Sequence, residues 1–310
     1  MLSRVADSLY WMARYMERTD GILRMLKINY ASSQDDAGEF TWRPVLRIFT
    51  YMDEADVAEL VRNNRDALRY LVTARQNPNS VFNLVTKTRE NARGVQDNIT
   101  NELWQCLNEF YHLIRSARVE KSLSAGDAIT MLDELIRHCM LYYGILETTM
   151  ARGEGLSFMN LGKYLERAVQ SADILDIRFG NLTELEKTTD TMYWKYLLLS
   201  ISGYSLYLKN YRSGFEARNV VDQVIFNISF PRSVIYSLNQ MQRYFERIKG
   251  TSAGEDFNRI HFMIGKLYSK VRFSNVQTVS QIGLHDYLTE IHRELFEIDK
   301  ALSKHYFAYT

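Results

Sequence analysis

Residues 1–30 read MLSRVADSLYWMARYMERTDGILRMLKINY, and this stretch decides the fold class. Nine residues recur alternately three and four positions apart, and we call them the seam residues of this helix: Leu2, Val5, Leu9, Met12, Met16, Thr19, Leu23, Leu26 and Tyr30. Residues three and four apart share one face of a helix, so this spacing forms one continuous, mostly apolar stripe. The stretch therefore predicts a long first helix that packs against several others.

The same helical spacing continues through most of the chain. At the end it is regular again, with intervals of four and three between Leu284, Leu288, Ile291, Leu295, Ile298 and Leu302. Only three prolines interrupt 310 residues, and no segment alternates apolar and polar residues with the period of a strand. The sequence predicts an all-α protein, a multi-helix bundle of roughly nine to twelve helices in two packed halves.

Turn and capping residues predict where individual helices begin and end. Ser80 should cap one helix, and the short polar residues 97–100 should break the segment that follows. Ser157 is expected to cap a later helix, and residues 183–186 match a capping box. Two further segments are each expected to form one helix, Tyr193 to Tyr211 and Ser280 to Phe307.

Composition argues against several classes of protein. Lys and Arg number 38 and Asp and Glu number 37, so the net charge is +1, without the basic excess of a nucleic-acid binder. The longest uncharged apolar stretch, residues 196–208, is shorter than the about 20 residues that span a membrane. The N-terminus lacks the apolar core of a signal peptide. We expect a cytoplasmic protein whose two cysteines, Cys106 and Cys139, are free and buried.

A short pattern of a basic residue, Tyr, an apolar residue, Glu and Arg occurs three times, at residues 14–18, 163–167 and 243–247. In each copy the glutamate follows a seam residue, so it flanks the apolar stripe and can point along a groove between helices. The first two copies suggest an old duplication. They predict a single domain, residues 1–310, with pseudo-halves 1–153 and 154–310.

Several longer stretches resemble a known family. They are residues 1–15 with Glu17-Arg18, Arg89-Glu90-Asn91-Ala92-Arg93, Glu102-Leu103-Trp104, Gly153-Glu154-Gly155, Tyr164-Leu165-Glu166-Arg167 and Phe230-Pro231-Arg232-Ser233-Val234. In this order, over nearly the whole chain, they resemble the bacterial alpha-E domain family. The resemblance implies an all-helical protein encoded beside a circularly permuted ATP-grasp protein and a transglutaminase-like cysteine peptidase. It implies those two proteins as partners in making or processing a peptide or amide-linked product.

Nine charged residues of these motifs form the candidate site: Arg14, Glu17, Arg18, Glu90, Arg93, Glu102, Glu154, Glu166 and Arg167. They are expected either to line one polar cleft that binds a partner or peptide, or to form a buried ion-pair network that fixes helix packing. Both interpretations expect Glu17 and Glu166 to meet their arginine neighbours at one interior location.

Two functions remain open at this point. The first is a non-catalytic accessory or scaffold protein that binds the ligase or its peptide substrate through a Glu/Arg-lined groove. The alternative is an enzyme with a carboxylate-lined site in the helical bundle, with or without a bound metal. A di-metal bundle needs Glu-x-x-His on two helices, whereas the sequence offers one, Glu109-Phe110-Tyr111-His112. It has no glycine-rich phosphate loop. We therefore predict no catalytic residue, cofactor or metal, and leave the oligomeric state open.

Overall fold

The computed structural model describes residues 1–33, 42–179, 191–212, 214–248 and 254–307, except for the side chains of residues 178, 179 and 191–193. These residues form sixteen α-helices and contain no strand. The all-α prediction is therefore confirmed. The helices outnumber the expected nine to twelve because several predicted helices are divided by short breaks.

The chain divides into two units, which do not follow a single cut in the sequence. Unit 1 contains Met1–Arg14 and Ala151–Thr310, and unit 2 contains Tyr15–Met150. The first helix, α1 (Ser3–Ser32), contributes its start to unit 1 and the rest to unit 2. The duplicated pseudo-halves stay a prediction.

Unit 2 holds the rest of α1 and seven further helices. They are α2 (Arg43–Phe49), α3 (Glu54–Leu60), α4 (Asn64–Val72), α5 (Val81–Gly94), α6 (Asn101–Arg115), α7 (Ala117–Ala125) and α8 (Ala128–Thr149). Ser80 and Thr100 cap α5 and α6. The side-chain oxygen of each accepts a hydrogen bond from the backbone N–H three residues later in the chain. The predicted cap at Ser80 and the predicted break before α6 are both confirmed. α6 packs against α5 and α8.

Unit 1 holds the start of α1 and eight helices. They are α9 (Glu154–Phe179), α10 (Thr191–Ser200), α11 (Tyr204–Asn210), α12 (Ala217–Val221), α13 (Val234–Glu246), α14 (Glu255–Arg272), α15 (Val276–Ile282) and α16 (Leu284–Tyr306). A π-helical turn, Asp222–Phe226, continues α12. α9 packs against α13 and α16, and α14 packs against the same two helices.

Three predicted boundaries are wrong. Ser157 lies inside α9, which already begins at Glu154. The predicted helix from Tyr193 to Tyr211 is divided between α10 and α11, because Ser202 adopts a left-handed backbone with φ of 57°. The last predicted helix is divided at Gly283, whose φ of 98° suits glycine. The capping-box match at residues 183–186 lies outside the described residues.

Gly162 lets the backbones of α1 and α9 approach each other closely. A Cβ atom added to Gly162 would lie 2.3 Å from the carbonyl oxygen of Tyr10 and 3.2 Å from Cγ of Arg14. Both helices would have to separate to admit any larger residue. The glycine therefore sets the distance between α1 and α9 one helical turn before Glu166.

Replacing Gly162 with Ala should destabilise the protein by about 1–3 kcal/mol, because backbone must move to relieve the clash. Denaturant-induced unfolding measures this change. The matched control is Gly265→Ala in α14, where an added Cβ meets nothing within 4 Å. That variant should gain up to about 1 kcal/mol from better helix propensity. Unchanged stability of the Gly162→Ala variant would contradict the close crossing.

Candidate functional site

A buried polar cluster in unit 1 centres on Arg14. Nε and Nη2 of Arg14 each lie 3.1 Å from Oε2 of Glu166, and Nη1 lies 2.8 Å from Oδ2 of Asp299. The hydroxyl of Tyr10 donates a 2.6 Å hydrogen bond to the other oxygen of Asp299. We call these four residues the Arg14 cluster. One guanidinium group thus connects α1 with α9 and α16.

The charged pair at the centre of the Arg14 cluster is almost fully removed from water, whereas the side chain of Asp299 is 20% exposed. The side chains of Arg14 and Glu166 are only 8% and 2% exposed. Burial on its own lowers the pKa of Arg14, but the carboxylates of Glu166 and Asp299 outweigh burial and raise the pKa above its ordinary value. Burial raises the pKa of Tyr10, so its hydroxyl stays protonated and can donate to Asp299. The cluster is therefore a fixed set of charge-assisted hydrogen bonds.

Unit 2 contains buried acids of its own. Glu17 is fully buried and accepts a 2.5 Å hydrogen bond from the hydroxyl of Tyr143. Asp20 is also fully buried, and both of its carboxylate oxygens lie 2.9 Å from Nε of Arg24. Glu17 and Glu166 are thus both buried, and each has a described partner within its own unit.

The two cysteines of unit 2 are free and buried, which confirms the prediction made for them. Burial raises the pKa of Cys106 to about 11, and the nearby charge of Glu109 adds to the effect. Burial likewise raises the pKa of Cys139, with a further contribution from Asp20. Both thiols therefore stay protonated near neutral pH and lack the thiolate character of a reactive cysteine.

The other predicted site residues lie partly or fully at the surface. Arg18 donates a 3.1 Å hydrogen bond to the side-chain oxygen of Asn79. Arg167 donates a bond of the same length to the backbone carbonyl of Pro231. The side chain of Glu154 is 43% exposed and lies 3.0 Å from the amino group of residue 1. Each of these contacts joins segments that are distant in sequence.

Three more predicted residues lie on the exposed sides of α5 and α6. Glu90 and Arg93 are 49% and 65% exposed and lie 3.8 Å apart, one turn from each other on α5. Glu102 is exposed in the first turn of α6. The binding role predicted for the nine residues stays a prediction.

Guanidinium groups and aromatic rings alternate along one partly exposed face of α5 and α6 and the turn before α5. The six members, in order, are Arg75, Phe82, Arg115, Tyr111, Arg89 and Trp104. Each guanidinium carbon lies between 4.9 and 5.9 Å from the neighbouring ring centroid, within the cation–π range of about 6 Å. We call these six residues the arginine–aromatic ladder.

The ladder brings together two motifs that the sequence analysis quoted separately. Arg89, from the motif at residues 89–93, lies over Trp104, from the motif at residues 102–104, with 5.3 Å between the guanidinium carbon and the ring centroid. None of the six members was among the predicted site residues, and four of them also lie outside the motifs of the family resemblance: Arg75, Phe82, Tyr111 and Arg115. A signal for the last three exists, because two polar and aromatic stripes repeat at intervals of four, three and four: Phe82, Thr86, Arg89 and Arg93 on α5, and Trp104, Asn108, Tyr111 and Arg115 on α6.

The described residues hold no group of three His, Cys, Asp or Glu side chains that could bind a metal ion. In the same ranges, no helix is both long enough and apolar enough to cross a bilayer.

Comparison with known proteins identifies the family. The Alpha-E family model, described as a predicted alpha-helical domain with a conserved ER motif, matches residues 1–307, and the chain belongs to this family. Glu-Arg pairs occur here at residues 17–18, 166–167 and 246–247. The family assignment agrees with the resemblance inferred from the sequence motifs.

Relatives among curated proteins carry no described activity. The chain is 23% identical over 326 residues to the uncharacterized proteins Mb2597 of Mycobacterium bovis and Rv2567 of Mycobacterium tuberculosis. The match covers 97% of this chain but only 36% of each relative, so the chain spans about a third of their length. No solved structure matches the chain.

Replacing Glu166 with Gln should destabilise the protein by about 3–5 kcal/mol, because it breaks a buried ion pair and leaves Arg14 without one of its charge partners. Chemical denaturation measures the loss. Glu102→Gln is the control, since this exposed glutamate contributes less than about 1 kcal/mol through the helix dipole. Equal stability of the Glu166→Gln variant and the wild type would show that the Arg14 cluster does not hold α1 against α9.

Two histidines of α16 should titrate on opposite sides of the ordinary histidine pKa. Nδ1 of His285 lies 2.6 Å from Asp176, and this hydrogen bond raises the pKa of His285. Burial lowers the pKa of His292. NMR titration of the ring protons measures both values, and Asp176→Asn should return the pKa of His285 towards normal. An unchanged pKa for His285 in that variant would contradict the contact.

The two shifts predict opposite effects of pH on stability. The contribution of His285 is complete below its unfolded pKa of about 6.5 and is lost as pH rises through the higher folded value. For His292 the folded pKa is the lower one, so stability is lost as pH falls from the unfolded towards the folded value. Stability measured against pH in the Asp176→Asn variant should lack the His285 contribution. The pKa of His292 should fall further in that variant, because the charge of Asp176 raises it.

Proposed function

We propose that this chain is a non-catalytic helical accessory protein that docks a component of an ATP-grasp-type peptide or amide ligase system. The observation that carries the proposal is the arginine–aromatic ladder on unit 2. It presents three guanidinium groups and three rings on one face. Arginine and large aromatic residues are enriched at protein interfaces and supply most of the energy at binding hot spots.

The buried charges have a different role in this proposal. An ion pair as deeply buried as Arg14 with Glu166 contributes little net stability relative to apolar packing, but it tolerates few alternative geometries. The Arg14 cluster therefore acts as the frame that fixes the helices of unit 1. Recognition is assigned to the three ladder arginines, which are partly or fully exposed, so their side chains can exchange contacts with water for contacts with a partner.

The partners are proposed from the family resemblance. They are a circularly permuted ATP-grasp protein, or the peptide on which it acts, and a transglutaminase-like peptidase. The proposal assigns ATP binding to the ATP-grasp partner, since this sequence has no glycine-rich phosphate loop. It also places the protein in the cytoplasm, where the free thiols of Cys106 and Cys139 would stay reduced.

Co-purification with the ATP-grasp protein of the same organism tests the proposal. The wild-type chain should form a complex, and Arg89→Gln should weaken it at least about tenfold, because it removes the guanidinium shared by Trp104 and Tyr111. Arg243→Gln is the control, because it removes an exposed arginine that lies 5.9 Å from Tyr244 on α13. Circular dichroism checks that both variants fold.

The contradicting result has two parts. The wild-type chain would fail to associate with the ATP-grasp protein, and the ligase would be fully active without it. Together these observations would remove the accessory role.

A further inference from the structure

We propose that the arginine–aromatic ladder binds an extended acidic peptide segment, whose carboxylates pair with the edges of its guanidinium groups. The inference rests on the proposed docking function and specifies the chemistry of the docked segment.

The ladder carries more positive charge than the surrounding residues neutralise. Arg89 lies 2.7 Å from Glu90, and Arg93 lies 3.8 Å from the same carboxylate. Within the described part of the chain, no carboxylate lies within 4.0 Å of the guanidinium groups of Arg75 and Arg115. Two of the three ladder arginines thus have no carboxylate within 4.0 Å among the described residues, and the third shares Glu90 with Arg93. A complementary ligand supplies negative charge.

The rings of the ladder are already engaged by cations. Tyr111 lies within 5.0 Å of two guanidinium carbons, those of Arg89 and Arg115. Phe82 is likewise approached by Arg115 and by Arg75, at 5.9 and 5.1 Å. Single-stranded nucleic acid binds by stacking its bases on such rings, so this arrangement disfavours nucleic acid.

The guanidinium edges remain suited to carboxylates. A guanidinium group that lies over a ring keeps its N–H donors in the plane of the group, at its edge. These donors form paired, charge-assisted hydrogen bonds with a carboxylate. Among the described residues, Arg115 uses one of them for a 2.7 Å hydrogen bond to the hydroxyl of Tyr111, and the group has five in all.

The surface beside the ladder favours an extended ligand over a small anion. Arg75 ends the ladder and also lines an open cavity of about 440 Å³ in unit 2. Arg69, Asp66 and Glu120 line the same cavity, where Arg69 lies 2.8 Å from Glu120 and 4.0 Å from Asp66, so both carboxylates already face an arginine. A peptide lying along the ladder can place a side chain in this cavity, whereas an isolated phosphate reaches only one part of the surface.

Binding of synthetic peptides to the full chain tests the inference. Fluorescence anisotropy compares a labelled glutamate-rich peptide, the same peptide with glutamine at every glutamate, and a single-stranded oligonucleotide of equal length. The acidic peptide should bind, and its affinity should fall as salt rises. The glutamine peptide should bind at least about tenfold more weakly, because it loses the charge-assisted bonds. The oligonucleotide should bind more weakly than the acidic peptide.

Paired variants locate the binding surface. The double variant Arg75→Gln with Arg115→Gln should weaken binding of the acidic peptide at least about tenfold. The double variant Arg243→Gln with Arg247→Gln changes net charge equally, and it removes exposed arginines that lie 5.9 and 5.2 Å from Tyr244 on α13. This control should bind the peptide as the wild type does. Thermal unfolding checks that both double variants are folded.

Three outcomes would overturn the inference. Equal loss of binding in both double variants would indicate general attraction to a basic protein. Tighter binding of the oligonucleotide would assign the ladder to nucleic acid. Absence of peptide binding, with an intact complex between the chain and the ATP-grasp protein, would reject the peptide and leave the docking function standing. Peptide binding without any such complex, with the ligase fully active alone, would reject the accessory role and leave the peptide-binding surface standing.

Discussion

One guanidinium group imposes the constraint on which unit 1 depends. Moving the charges of Arg14 and Glu166 out of water costs several kcal/mol per ion, and only well-aligned hydrogen bonds offset that cost. The planar fork of Arg14 provides them by facing Glu166 with two nitrogens and Asp299 with a third. Gly162 belongs to the same constraint, since it lets α1 approach α9. The positions of α1, α9 and α16 are therefore closely specified.

The helical class and many boundaries could be predicted from the sequence, because apolar spacing and capping act within one or two helical turns. Ser80 and Thr100 cap their helices as local rules predict. The breaks at Ser202 and Gly283 could not be predicted in the same way. A single residue with positive φ ends each helix there while the apolar spacing continues on both sides.

The site was predictable only in part. An acidic residue that directly follows a residue of the apolar stripe flanks that stripe. This rule identified the buried Glu17 and Glu166. Applied to α16, it would also have identified Asp299. The same rule fails at Glu246, which is exposed. A helical position predicts a face but not the helix that covers it. The partners of Arg14 lie 152 and 285 residues away, so short-range spacing contains no information about them.

Arginine thus has two roles in this protein, one as a buried connector and one as an exposed, ring-supported cation. The first role is the central claim, and a double-mutant cycle between Arg14→Met and Glu166→Leu measures it most directly. The account predicts a coupling free energy of at least about 1.5 kcal/mol, because each single variant leaves a buried charge that the double variant removes. Additivity of the two substitutions to within about 0.5 kcal/mol would contradict it.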